Sequence, residues 1–210
     1  MKNAVYYLPG YGGLLATGLG AGLLARGIDV TGRQTVDEFK ALPFQEQVDL
    51  VAQDLQAHFW QADARVVANS FGAYLFLHAQ AQLPPFPGRV LLLSPIVGEF
   101  SNDDSQMNFI PPRVERLQAL VQGGQYPTPA RCEVHVGEQD WQSNPVHVAA
   151  FGKQLGLAVT IVPQAGHMLG KSYVSALLDR WLKCCGSVRL RQSSFQRSGL
   201  GSPGSQSRCW

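Results

Sequence analysis

The sequence predicts a parallel α/β fold: a three-layer α/β/α sandwich around a mostly parallel sheet of about six strands. Two features of pattern and one of length lead there. Short apolar runs rich in β-branched or aromatic residues recur along the chain, and a turn followed by helical periodicity comes after most of them. Such alternation favours parallel strands joined by right-handed crossovers, with helices on both sheet faces. The 210 residues make one domain and leave little room for a second.

Taken in order, Ala4–Leu8 is the first strand, and Leu14–Arg26 follows as a helix packed closely through its small residues. Ile28–Val30 is a weaker second strand. Phe44–Phe59 is an amphipathic helix, because Phe44, Val48, Val51, Leu55 and Phe59 recur at helical spacing on one face. Arg65–Ala68 is a buried strand running into Asn69 and Ser70, and Phe71–Gln82 is the helix after it, stopped by Pro84 and Pro85. Arg89–Leu93, Cys132–Val136 and Ala158–Val162 read as strands covered on both faces. Val146–Leu155 and Lys171–Trp181 are the helices that follow the last two.

Residues 98–129 form the least regular internal stretch, with a short helical patch at Val114–Val121. An insertion of this kind near strand ends often covers a site, so it is expected to be a short lid. Phe100, Met107, Phe109 and Ile110 would line a small, open pocket beneath it or form a minor core of their own. The folded domain is expected to span residues 1–185. Residues 186–210, rich in Ser, Gly, Arg and Gln with no apolar period, are expected to be a disordered basic tail.

The net charge of +2 is too small to suggest a nucleic-acid partner, and six of the cations lie beyond Asp179, which leaves residues 1–179 mildly acidic. Cys132, Cys184, Cys185 and Cys209 show no zinc-like spacing and suggest no structural disulfide, which fits a cytoplasmic protein. The apolar start is too short, and too soon broken by Pro9 and Gly10, to be a signal peptide. No apolar run reaches the roughly 18 residues of a membrane span, so membrane association is not expected; acylation of Cys184 and Cys185 beside basic residues is the weaker alternative. Nothing in the sequence specifies an oligomeric state.

Four segments carry chemistry. At Arg65–Leu77 an apolar strand ends in Ala68-Asn69-Ser70-Phe71-Gly72 and a helix begins. This is a nucleophile elbow with alanine in the first small position; larger side chains at 68 and 72 would collide with the neighbouring helix and strand. An ordinary strand-to-helix turn with Ser70 as N-cap explains the pentad as well when it is taken alone. The glycine-rich loop Pro9-Gly10-Tyr11-Gly12-Gly13 follows the first strand, where the Tyr11 N–H could join that of Phe71 in an oxyanion hole. It lacks the spacing of a nucleotide-binding loop. Asp140 lies on the loop after a buried strand, where an orienting carboxylate belongs, and Glu138 is near enough to compete. His167, behind Ala165 and Gly166, follows the final strand. His58 and His78 on helices, His135 inside a strand and His147 at a helix start are set aside. The order glycine loop, serine, acid, histidine is what joins the segments into one site.

On the residues LPGYGG at 8–13, ANSFGA at 68–73, VGEQD at 136–140 and AGH at 165–167, the chain resembles the α/β-hydrolase superfamily, especially its small, short-lidded intracellular serine hydrolases. The resemblance spans roughly residues 4–182. It implies a triad of Ser70, Asp140 and His167, an oxyanion hole from the Tyr11 and Phe71 amides, and no metal or cofactor. The expected activity is hydrolysis of a small-molecule carboxylic ester with a small or medium acyl chain. A thioesterase, an amidase and a C–C hydrolase would use the same groups, and a catalytically silent binding scaffold would share the fold. The chain departs from the family pattern in opening on what would be its third strand, which shrinks the sheet. It also has Ala68 where glycine is commoner, and PGYG where HG is commoner.

Overall fold

The structure, a computed structural model, describes residues 3–102 and 107–183. The tail expected at residues 186–210, with Cys184, Cys185 and Cys209, lies outside the described residues. The chain runs β1 (Ala4–Leu8), α1 (Gly18–Leu24), β2 (Asp29–Gly32), α2 (Asp37–Ala41), α3 (Phe44–His58), β3 (Arg65–Asn69), α4 (Phe71–Gln80) and β4 (Arg89–Leu93). Then come β5 (Phe100–Asn102), β6 (Met107–Phe109), α5 (Val114–Gln122), β7 (Arg131–Gly137), α6 (Pro145–Leu155), β8 (Ala158–Val162) and α7 (Lys171–Lys183).

The main sheet has six strands in the order β2-β1-β3-β4-β7-β8, and every neighbouring pair is parallel. Alternate side chains feed two cores, as the two-residue strand period demands. Tyr6, Leu8, Val66, Ala68, Val90, Leu92, Val134 and Val136 face α3, α4 and α6. Val5, Tyr7, Val67, Leu91 and Leu93 face the other layer, where Leu177, Leu178 and Trp181 of α7 close over them. Each fully buried large apolar side chain contributes about 1.5–3 kcal/mol. α4 is the central helix, buried at every position from Gly72 to Gln80. That explains why its sequence is apolar all round rather than on one stripe.

Three expectations need correction. Ala158–Val162 is not covered on both faces: β8 is an edge strand, and Ile161 is half exposed. The first helix begins at Gly18 rather than Leu14. The chain doubles back so tightly there that a Cβ on Gly20 would lie on the Leu15 carbonyl, and Gly18 has positive φ. The 98–129 stretch holds an antiparallel hairpin, β5 with β6, that the sequence pattern did not suggest. Strands of three residues are too short to show a period. α6 illustrates the opposite case of legible ends. Asn144 caps it, accepting from Val146 N at 2.9 Å; Pro145 opens it, and Gly156 ends it in the left-handed region.

Among the described residues no helix is long and apolar enough to cross a membrane, and no group of three His, Cys, Asp or Glu side chains is gathered as a metal site would need. Cys132 is a free thiol.

Candidate active site

All the predicted site residues stand beyond the carboxyl ends of the parallel strands. The chain leaves β1 toward β2 on one side and later places β3 on the other. The loop after β1 and the turn after β3 therefore face each other at the switch point of the sheet, where open α/β sheets leave a crevice. A Cβ on Gly10 would come within 3.3 Å of Ser70 Cβ, so the glycine loop passes directly over the serine.

Ser70 sits at φ 52° and ψ −120°, a region that L-residues avoid. The sheet and α4 impose that conformation. Ser70 N donates to Leu93 O at 2.9 Å, extending the β3–β4 ladder, while Tyr74 N donates to Ser70 O at 3.1 Å as α4 begins. The turn needs Gly72, because a Cβ there would lie 2.2 Å from Leu8 O and 2.4 Å from Pro9 O. The Ser70 side chain makes no capping bond to its own helix, so the reading of Ser70 as a plain N-cap fails.

Its hydroxyl instead meets the His167 ring, with Oγ 2.8 Å from Nε2. The other ring nitrogen, Nδ1, faces both carboxylate oxygens of Asp140, at 2.9 and 3.0 Å. An ionised carboxylate only accepts, which assigns the ring proton to Nδ1 and leaves Nε2 to accept from Ser70. Asp140 is buried, and its Oδ1 also accepts from Gln142 N at 3.0 Å and Ser143 N at 2.8 Å. Glu138 does something else. It is exposed, and its Oε2 accepts from Gln164 N at 2.9 Å, tying its loop to the one that leads to His167.

Tyr11 and Phe71 flank the serine, their rings edge to face with centroids 5.6 Å apart. Among the described residues neither of their backbone N–H groups donates within the chain. The Phe71 amide is free because it lies in the first turn of α4. His58, His78, His135 and His147 remain away from this row, at the positions expected for them.

Two further residues fasten the row and had no visible signal in the sequence. Ser94, at φ 44°, donates from Oγ to His167 O at 2.9 Å. Ser143, on the Asp140 loop, donates from Oγ to Pro95 O. Both bonds link loops from different strands, which no local sequence pattern marks.

No protein-family model and no curated protein matches the chain. Solved structures do. The chain is similar to α/β hydrolase domain-containing protein 10 from mouse, with a TM-score of 0.65, 11% identity, and coverage of 89% of this chain and 92% of that one. It is similar to Est1E from Butyrivibrio proteoclasticus, with a TM-score of 0.61, 14% identity and 87% of each chain covered. A carboxylesterase structure from the thaumarchaeon Nitrososphaera gargenis aligns with a TM-score of 0.55 and 11% identity over 88% of this chain and 91% of that one. Six parallel strands, helices on both faces, an elbow at the switch point and these likenesses together give the chain the α/β-hydrolase fold, in a reduced form.

Proposed function

We propose that this protein is a serine hydrolase that cleaves a carboxylic ester with a small or medium acyl chain through an acyl-enzyme. The observation that carries the reading is the row Ser70 Oγ, His167 Nε2, His167 Nδ1, Asp140, with contacts of 2.8 to 3.0 Å, mounted on a strained elbow. The hydrogen-bonded separation of nucleophile, base and orienting acid is the geometry that activation of a serine requires.

In this mechanism His167 Nε2 takes the Ser70 proton as Oγ attacks the ester carbonyl carbon. Asp140 holds the ring in the Nδ1–H form and stabilises the imidazolium. The Tyr11 and Phe71 amides receive the negative oxygen of the tetrahedral intermediate. The imidazolium then protonates the leaving alcohol, and water, activated by the same ring, releases the acid and regenerates Ser70. None of these steps calls for a metal or an organic cofactor. The carboxylesterase of like fold supports esters as the substrate class. The half-buried Ser70, the exposed Tyr11 and the exposed Met168, which follows His167 in the chain, support an open site suited to modest acyl groups.

The test is labelling with a fluorophosphonate probe together with a p-nitrophenyl ester series from acetate to decanoate. Wild type is expected to be labelled and to turn over the shorter esters, and Ser70→Ala to lose both. Labelling or turnover that persists in Ser70→Ala overturns the assignment.

A further inference from the structure

Thr35 is the most heavily used polar residue next to the site, and none of the roles above includes it. It lies between β2 and α2 and is 1% exposed. Its backbone pairs with the glycine loop in both directions: Gly12 N donates to Thr35 O at 3.1 Å, and Thr35 N donates to Gly13 O at 3.0 Å. Its side chain then occupies the inside of the same loop. Gly13 N donates to Thr35 Oγ1 at 2.9 Å, and Thr35 Oγ1 donates to Gly10 O. A hydroxyl has one proton, and Gly10 O takes it rather than Gly13 O, which is farther at 3.4 Å.

The loop is closed by its own turn, with Gly13 N donating also to Gly10 O at 2.9 Å, and the hydroxyl braces that turn by accepting from the same amide and donating to the same carbonyl. Tyr11 lies within the turn, and its amide direction follows from where Gly10 O and Gly12 N are held. Gly12, at φ 75°, supplies the turn but no rigidity of its own. Thr35 is itself anchored. Its neighbour but one, Arg33, makes a two-toothed pair with Asp54 of α3, Nε to Oδ2 and Nη2 to Oδ1 at 2.7 Å each, and Asp54 Oδ2 also accepts from Tyr6 OH at 2.7 Å. A chain of contacts therefore runs from α3 through Arg33 and Thr35 to the loop over Ser70.

We propose that Thr35 is a positioning residue: its hydroxyl fixes the Gly10–Gly13 loop so that the Tyr11 N–H points at the oxyanion. This rests on the serine-hydrolase reading above. The developing negative charge exists in the transition state and not in the bound ester, so a loosened loop lowers kcat and leaves KM nearly unchanged. Removing an oxyanion donor outright costs about a hundredfold or more, and misaligning one costs less, so a loss of about 10–100-fold is expected.

The experiment compares wild type, Thr35→Val and Thr35→Ser, with Ser70→Ala alongside, for kcat and KM on a short p-nitrophenyl ester and for inhibition by a phenylboronic acid, which forms a charged tetrahedral adduct. Thr35→Val keeps the shape and the backbone pairing but loses the hydroxyl; it is expected to lose kcat and boronate affinity together at constant KM. Thr35→Ser keeps the hydroxyl and is expected within about threefold of wild type. Should Thr35→Val not fold, Thr35→Cys, a weaker hydrogen-bonding group in the same space, is read in the same way. Wild-type kcat and boronate affinity in the hydroxyl-free variant overturn the proposal, as does a loss confined to KM. Absence of turnover in wild type itself, or its survival in Ser70→Ala, fails the hydrolase reading instead, so the two failures are distinguishable.

Discussion

Replacing Asp140 by asparagine tests the site most sharply, because the structure dictates how the new amide must sit. Oδ1 of residue 140 accepts from two backbone amides, Gln142 N at 3.0 Å and Ser143 N at 2.8 Å, and only an oxygen can accept them. The oxygen of the introduced amide takes that place, and its NH2 falls where Oδ2 now lies, 3.0 Å from His167 Nδ1. Two N–H donors facing each other repel, and the remaining Oδ1, 2.9 Å from the same ring nitrogen, already accepts from two backbone amides, so the balance shifts toward the tautomer with the proton on Nε2. That proton then points at Ser70 Oγ, 2.8 Å away, and the ring can no longer take one from it. The expected loss in kcat is about 10³–10⁴-fold, or about 4–5.5 kcal/mol of barrier, with the fold retained. Glu138→Gln is the matched control. Its side chain supports a loop amide and does not touch the ring, so activity is expected within about threefold of wild type. The assay is steady-state hydrolysis of a short p-nitrophenyl ester, with wild type and variants at the same pH and circular dichroism to verify folding. Activity of Asp140→Asn within about tenfold of wild type, or a deep loss in Glu138→Gln, would refute the reasoning.

The remaining predictions concern the frame around the site. Gly72→Ala forces a Cβ to within 2.2 Å of Leu8 O, a backbone atom that cannot swing aside, and is expected to destabilise by about 3 kcal/mol, seen as a fall in Tm of about 6–12 °C by calorimetry. An unchanged Tm would mean that β1 and α4 can separate without cost. His78 gives the protein an acid sensitivity of its own. Burial, with Arg116 and Arg113 adding to it, lowers the imidazole from its ordinary 6.5 to about 4, and its Nε2 has no partner. The folded state holds the ring neutral, so unfolding takes up a proton in this window. The stability contribution is full above pH 6.5 and is lost as pH falls toward 4, with a ceiling of about 3 kcal/mol. His78→Phe, which keeps an aromatic edge against Phe44 and Tyr74, is expected to flatten the urea-unfolding free energy between about pH 7 and about pH 4.5 relative to wild type. The His135 ring, lowered chiefly by burial, adds a slope of the same sign; an unaltered slope in His78→Phe would remove His78 from the account.

What was legible in the sequence came from signals that repeat or that sit side by side. The carboxyl ends of Ala4–Leu8, Arg89–Leu93 and Ala158–Val162 could be read because these largely apolar runs stop at Pro9, Ser94 and Pro163. The elbow was legible because Ala68, Ser70 and Gly72 are within five residues, and the close approach of Leu8 O and Pro9 O supplies the reason for the small side chain at 72. Short elements escaped, as α2 and the β5–β6 hairpin did, since a few residues cannot establish a period. The exposure of β8 escaped too, because an apolar run does not say whether a further strand lies beyond it. The decisions left to the tertiary structure were those between residues far apart in the chain. Asp140 and Glu138 are two positions apart on one loop, and the sequence supports only a preference for the first; the tight turn that buries Asp140 against His167, and leaves Glu138 to bond Gln164 N, separates them. Thr35 and Ser94 carried no local mark at all. Their hydroxyls act on backbone 22 to 73 residues away, and such contacts exist only once the parallel sheet has brought the ends of its strands together.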